Sequence, residues 1–186
     1  MSDFEFIFAL FGLLLGLSLA EVLAGFARAI QARLAAGSTV RIGWLTPLLG
    51  AFVLLDLLSF WQAAWVARDL ITVSSSALVG VALFASAYYL AASLVFPKAP
   101  GEVDFDEHFF RMRRIVIGVM LGLLVCQLAF YASVPELARF LVHPLALGLT
   151  VILVALMTAA MLTRGERWSR YAMLALVARY LVVYLL

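Results

Sequence analysis

The sequence is poor in nearly everything a soluble enzyme draws on. Its one cysteine, Cys126, leaves no partner for an internal disulfide and no CxxC redox or zinc site; in an apolar run it reads as a small packing residue. There are only two histidines, His108 and His143, and they fall on opposite sides of the topology derived below, so one haem cannot be held by both. The single lysine, Lys98, lies in a loop, which leaves no site for a retinal Schiff base. HExxH, GxGD, Walker A and GxGxxG patterns are all absent, and with them the protease and phosphate-loop chemistries those spacings serve. Charge is scarce as well: 13% of the 186 residues, with a net of +2. No basic patch for nucleic acid, no low-complexity tail and no cofactor motif is present, and an enzyme is unsupported.

What is abundant is apolar surface. Hydrophobic residues make up 66% of the chain and the mean hydropathy is +1.11, whereas a soluble domain carries about 25% charged residues. A chain this apolar cannot cover a globule with polar groups, so the bilayer is its solvent. Crossing takes roughly 20 mostly apolar residues, and six runs qualify, near 4–29, 44–67, 73–96, 115–132, 144–162 and 168–186. The expected fold is an all-α polytopic transmembrane bundle in one domain, 1–186. Ser2 and Asp3 cap the first span, which runs on through Arg33 to a stop at Gly37. Asp3 and Glu5 precede the first basic residue, Arg28, so this helix reads as a retained anchor and not a cleaved signal. Pro135 and Pro144 each look like a helix start, which predicts either a short interfacial helix over 135–142 ahead of span five or one kinked helix. A second interfacial helix is expected near 104–114.

Basic residues orient the bundle. Arg28, Arg33 and Arg41 lie between spans one and two, Lys98, Arg111, Arg113 and Arg114 between three and four, and Arg164, Arg167 and Arg170 between five and six; these are ten of the 13 Lys and Arg residues. Those connections are expected to face the cytoplasm, with both termini outside. Trp44, Tyr88, Tyr89, Trp168 and Tyr171 would form the inner aromatic belt, and Trp61, Trp65, Tyr131, Tyr180 and Tyr184 the outer one.

Three charges fall inside the apolar runs: Glu21, Asp56 and Arg179. Such groups are costly in lipid and normally face the bundle interior with a partner. Counting from the cytoplasmic tryptophans, Asp56 lies about 18 Å past Trp44 and Arg179 about 16 Å past Trp168. Their matched depth predicts an ion pair. Glu21 is expected to pair with Arg28 or with another helix, and Ser59, Gln62 and Gln127 would extend a polar path. Arg164, Arg167, Arg170 and Arg179 also share the three-residue spacing of a voltage sensor, but Met173 and Leu176 interrupt the ladder. Small-residue steps at Gly12/Gly16 and Gly118/Gly122 serve helix packing within the chain or an interface between copies; opening each three-span half, they also fit a worn inverted repeat. In the loop Asp104–Arg114, Arg111, Arg113 and Arg114 are placed to hold anionic headgroups. Asp104, Glu107 and His108 form a weak metal-ligand candidate.

This loop, together with GLLLGLSLAEVLAGFARAI and VRIGWLTPLL, resembles a group of small bacterial six-span integral membrane proteins with an acidic-His-aromatic-Arg loop between spans three and four. The resemblance covers most of the chain and implies a bacterial inner membrane; it carries no activity. Two functional readings stand. One is a channel- or transporter-like bundle passing protons or small ions along Glu21, Asp56 and Arg179, as a homo-oligomer. The other is a non-transporting accessory or assembly subunit of a membrane complex, in which those charges fix packing. The topology has a direct test: a reporter fused after Leu186 is expected to be active only outside the cytoplasm, and activity inside would reverse the span count.

Overall fold

The computed structural model describes residues 3–35, 40–68, 74–98 and 104–185. Ser2, Gly37, Val73 and Leu186, on which expected caps and span ends fell, lie outside the described residues. Seven helices follow in order: α1 (Asp3–Leu34), α2 (Leu45–Val66), α3 (Ser75–Val95), α4 (Phe105–Ser133), α5 (Pro135–Val142), α6 (Pro144–Leu162) and α7 (Glu166–Leu185). Five of them, α1 to α4 and α6, are long and apolar enough to cross a membrane. α7 has the length, with 20 residues, but its first turn is polar and Arg170 and Arg179 interrupt its apolar surface, so it falls short of that apolarity.

Local chemistry explains the boundaries. The Ser74 hydroxyl accepts from the Ala77 amide at 3.1 Å and starts α3. Asp104 does the same for α4, its carboxylate accepting from the amides of Asp106 at 2.9 Å and Glu107 at 3.3 Å. Val134 and His143 are both extended, as residues before proline must be, and each proline opens a new helix. Two helices therefore cover 135–162, not one kinked helix. The expected interfacial helix at 104–114 is instead the opening of α4. Between Asp104 and Gly118 there is neither proline nor glycine, and Phe105, Phe109, Val116 and Ile117 continue one buried stripe into the bundle.

α2 lies at the centre, touching α1, α3, α4 and α7, and α4 forms the second hub, against α3, α5 and α6. Leu15, Leu49, Phe52, Phe109, Met120 and Met173 are fully buried where these helices meet. At most 28% of any crossing window is buried inside the bundle. The chain thus has far more apolar surface than its core uses, and Leu13, Leu83, Val125 and Leu145 point outward where lipid belongs. Close approach of α1, α2 and α3 depends on Phe96, whose ring would lie 2.2 Å from a Cβ placed at Gly25.

The arginine-rich end is closed by a clamp between two segments far apart in sequence. The Phe105 amide donates to the Arg41 carbonyl at 3.0 Å, and the Thr46 hydroxyl bonds the Phe105 carbonyl. The Asp106 carboxylate accepts from the Leu45 amide at 3.0 Å, capping α2 from 61 residues away. Gly43 makes the turn with φ +60°, and a Cβ there would stand 2.1 Å from the Asp106 carboxylate. Gly43→Ala is therefore expected to destabilise the protein by about 1–2 kcal/mol for the backbone alone, and further by displacing the cap. Asp106→Ala should cost about 1 kcal/mol. Thermal unfolding in detergent should show the two losses combining to less than their sum, because removing the carboxylate relieves the clash.

Candidate functional site

The charge that matters most, Asp56, sits twelve residues into α2, too far from either helix end for its side chain to reach water along the backbone. It is satisfied by two phenols. The Tyr88 hydroxyl of α3 donates to Oδ2 at 2.6 Å, and the Tyr180 hydroxyl of α7 donates to Oδ1. Both tyrosines are 2% exposed. Their rings are packed in an aromatic layer: Phe52 lies 6.0 Å from Tyr180, Phe60 lies 5.7 Å from Tyr88, and Phe60 and Phe84 stack at 4.4 Å. One carboxylate thus joins α2 to α3 and α7 through charge-assisted hydrogen bonds, the stronger kind.

Asp56 and Arg179, expected to pair, make no direct ion pair within 4 Å, although Arg179 stays near enough to act on the carboxylate through its charge. Arg179 donates from Nη2 to the Leu149 carbonyl of α6 at 3.2 Å, and its guanidinium lies 4.9 Å from the centre of the Tyr180 ring. The reason is helical geometry. Arg179 and Tyr180 are consecutive and so diverge by about 100° around the axis at 3.6 residues per turn; Tyr180 takes the direction towards α2, which turns Arg179 towards α6. Equal depth was therefore not equal direction. Nor do Tyr88 and Tyr180 belong to opposite aromatic belts, since they share one carboxylate at mid-helix. Tyr184, also assigned to a belt, is exposed and donates to the Leu55 carbonyl at 3.3 Å, and Ser59 lies on α2 four residues beyond Leu55.

The other candidate residues are dispersed. Glu21 pairs with Arg28 at 3.1 Å and with Lys98, beyond the end of α3, at 3.2 Å. That holds it on the arginine-rich side, away from Asp56, and so the expected three-charge cluster is divided. Gln62 is exposed, and Gln127 lies on α4 beside Tyr131. Arg111 is exposed and bonds Glu107 at 3.4 Å, and Arg114 is exposed. Arg113, expected at the headgroups, is only 4% exposed. It turns inward because it falls on the buried stripe of α4, where it donates to the Ser169 hydroxyl at 2.9 Å and lies 4.8 Å from the Phe110 ring centre. Asp104, Glu107 and His108 do not converge: Asp104 caps α4, Glu107 faces Arg111, and His108 is buried with Nε2 3.1 Å from the Leu94 carbonyl. Gly12 packs on Trp61, whereas Gly16, Gly118 and Gly122 have nothing within 4 Å of an added Cβ. The two glycine steps are thus used differently, unlike the halves of a symmetric repeat.

At the end opposite the arginines, α1 to α4 border a half-open cavity of about 320 Å³ whose walls include Phe11, Phe60, Phe84, Gln127 and Tyr131. Glu21, Asp56, Ser59, Gln62 and Arg179 are not among its lining residues. Compared with protein-family models, curated proteins and solved structures, the chain finds no match.

The tyrosines are the part of the site that sequence reasoning missed, although a signal was there. Tyr88 lies eight residues before Phe96, about 12 Å by helical rise and too deep for a belt; Tyr180 follows Arg179 and shares its depth. Tyr88→Phe and Tyr180→Phe are each expected to cost about 1 kcal/mol, the net worth of a typical hydrogen bond, or somewhat more where the acceptor is charged. A double-mutant cycle read by unfolding in detergent should give a clear coupling energy through Asp56; strict additivity would mean the two phenols do not share the carboxylate.

Proposed function

We propose that this chain is a multi-pass protein of a bacterial inner membrane, with six spans including α7 and both termini extracytoplasmic. In this reading it is a non-transporting accessory or assembly subunit whose buried polar groups fix helix packing. The observation that carries it is the closure of Asp56. Both carboxylate oxygens accept from tyrosine hydroxyls, and Phe60 and Phe84, which line the cavity, pack against the Tyr88 ring, whereas Asp56 itself does not line it. A conducting carboxylate needs a wet approach on which to bind and release a cation, and the separation of Glu21, Gln62, Gln127 and Arg179 supplies no continuous polar track to it. The open Gly118/Gly122 surface of α4 supports contact with a partner helix or a second copy, because among the described residues nothing lies within 4 Å of a Cβ added at either.

Reconstituted wild-type protein should leave liposomes tight to protons and alkali cations under an imposed gradient. Asp56→Asn should lower stability by about 1–3 kcal/mol, because one phenol must then accept from the amide NH2 and its own O–H loses the carboxyl acceptor. Proton or ion flux that Asp56→Asn abolishes while the fold is retained would overturn the proposal in favour of a conduit.

A further inference from the structure

The cavity at the end opposite the arginines is built, not left over. It is a half-open cleft of about 320 Å³, inside the roughly 300–1,000 Å³ range of small-molecule sites. Small residues carve it. Ala63 and Ala64 on α2, Ala67 just past its end, and Ala77 and Gly80 on α3 all line it, and a Cβ added at Gly80 would meet nothing within 4 Å. Flat residues wall it: Phe60 and Phe84 stack at 28° and 4.4 Å into one face, and Phe130 and Tyr131 from α4 stand across the space.

Its polar content is small and specific. The Tyr131 hydroxyl donates to the Ala63 carbonyl at 3.3 Å, and Gln127, one turn before Tyr131 on α4, also lines the space. An amide NH2 carries two hydrogens. A donor is thus available at the wall of a space otherwise lined by rings and methyl groups. Among the described residues no acid, histidine, lysine or arginine lines the cavity, which suits it to a neutral molecule.

We infer that this cavity binds a neutral lipophile with a flat conjugated ring and a ring carbonyl, the chemistry of an isoprenoid-quinone headgroup. The ring lies between the Phe60/Phe84 face and the α4 aromatics, and its carbonyl accepts from Gln127. A simple acyl chain would use the aromatic walls but leave the amide without a role. The inference is independent of the packing role proposed for Asp56, which does not touch this space.

The test is a titration of the purified full chain in detergent with decylubiquinone, read by tryptophan emission. Trp61 and Trp65 report on the site because their rings lie 4.9 Å and 6.2 Å from Phe8, a lining residue. Saturable quenching is expected. Gly80→Leu and, separately, Ala64→Phe should weaken it about tenfold or more by filling the space, and Gln127→Leu about fivefold by removing one hydrogen bond, with melting temperatures used to select folded variants. Linear quenching in the wild type, or equal affinity in a folded filling variant, overturns the site. Saturable binding that decanoate displaces at equal concentration, unchanged in Gln127→Leu, overturns the ring-carbonyl assignment and leaves an acyl-chain site.

Discussion

A carboxylate placed in the middle of a membrane helix cannot be solvated by lipid, and the arrangement of this bundle follows from how that is resolved. Asp56 draws one hydroxyl from α3 and one from α7, so three helices must stand at fixed distances and rotations around it. The tyrosine rings that deliver those hydroxyls fill the same layer with Phe52, Phe60 and Phe84. Polar satisfaction and aromatic packing are thus met by the same side chains. Lipid tails are as apolar as leucine, so burial of apolar surface gives little reason for helices to associate in a bilayer; packing and interhelical hydrogen bonds supply it.

The same logic recurs towards the arginine-rich end. Arg113 is buried against α6 and α7 with a serine hydroxyl and a phenyl face for company, and Arg179 ties α7 to α6 through the Leu149 carbonyl. Asp106 caps α2 from the start of α4. These contacts join each of α2, α3, α4, α6 and α7 to another by a polar interaction, and Glu21 adds α1 through Lys98. At the opposite end the balance changes. There α1 to α4 meet through aromatic rings and small residues, and it is there that the bundle leaves a half-open cavity.

Much of the architecture was legible in the chain. The apolar runs predict helices because a backbone in lipid must satisfy its own hydrogen bonds, and prolines 135 and 144 mark the start of α5 and α6 because the residue before each is held extended. The depth of Asp56 and Arg179 could be counted from their tryptophans. Helical spacing made Arg28 one of two expected partners for Glu21, the other being a residue on another helix, and both are used, Arg28 at 3.1 Å and Lys98 at 3.2 Å. The link from Asp106 to Leu45 could not be read, because it spans 61 residues and no local rule pairs them.

What the sequence determined by itself was the class of protein: an all-α chain with too much apolar surface for water, and with too few chemical groups for the catalytic motifs sought in it. It also determined which side chains would need special accommodation, because a charge in an apolar run is conspicuous wherever it falls. Only the tertiary structure decided who provides that accommodation. Rise along a helix sets depth and is readable, but rotation about the axis depends on which neighbour the helix packs against. That rotation sent Tyr180 and not Arg179 to Asp56, turned Arg113 inward from the headgroups, and left Gly118 and Gly122 facing outward.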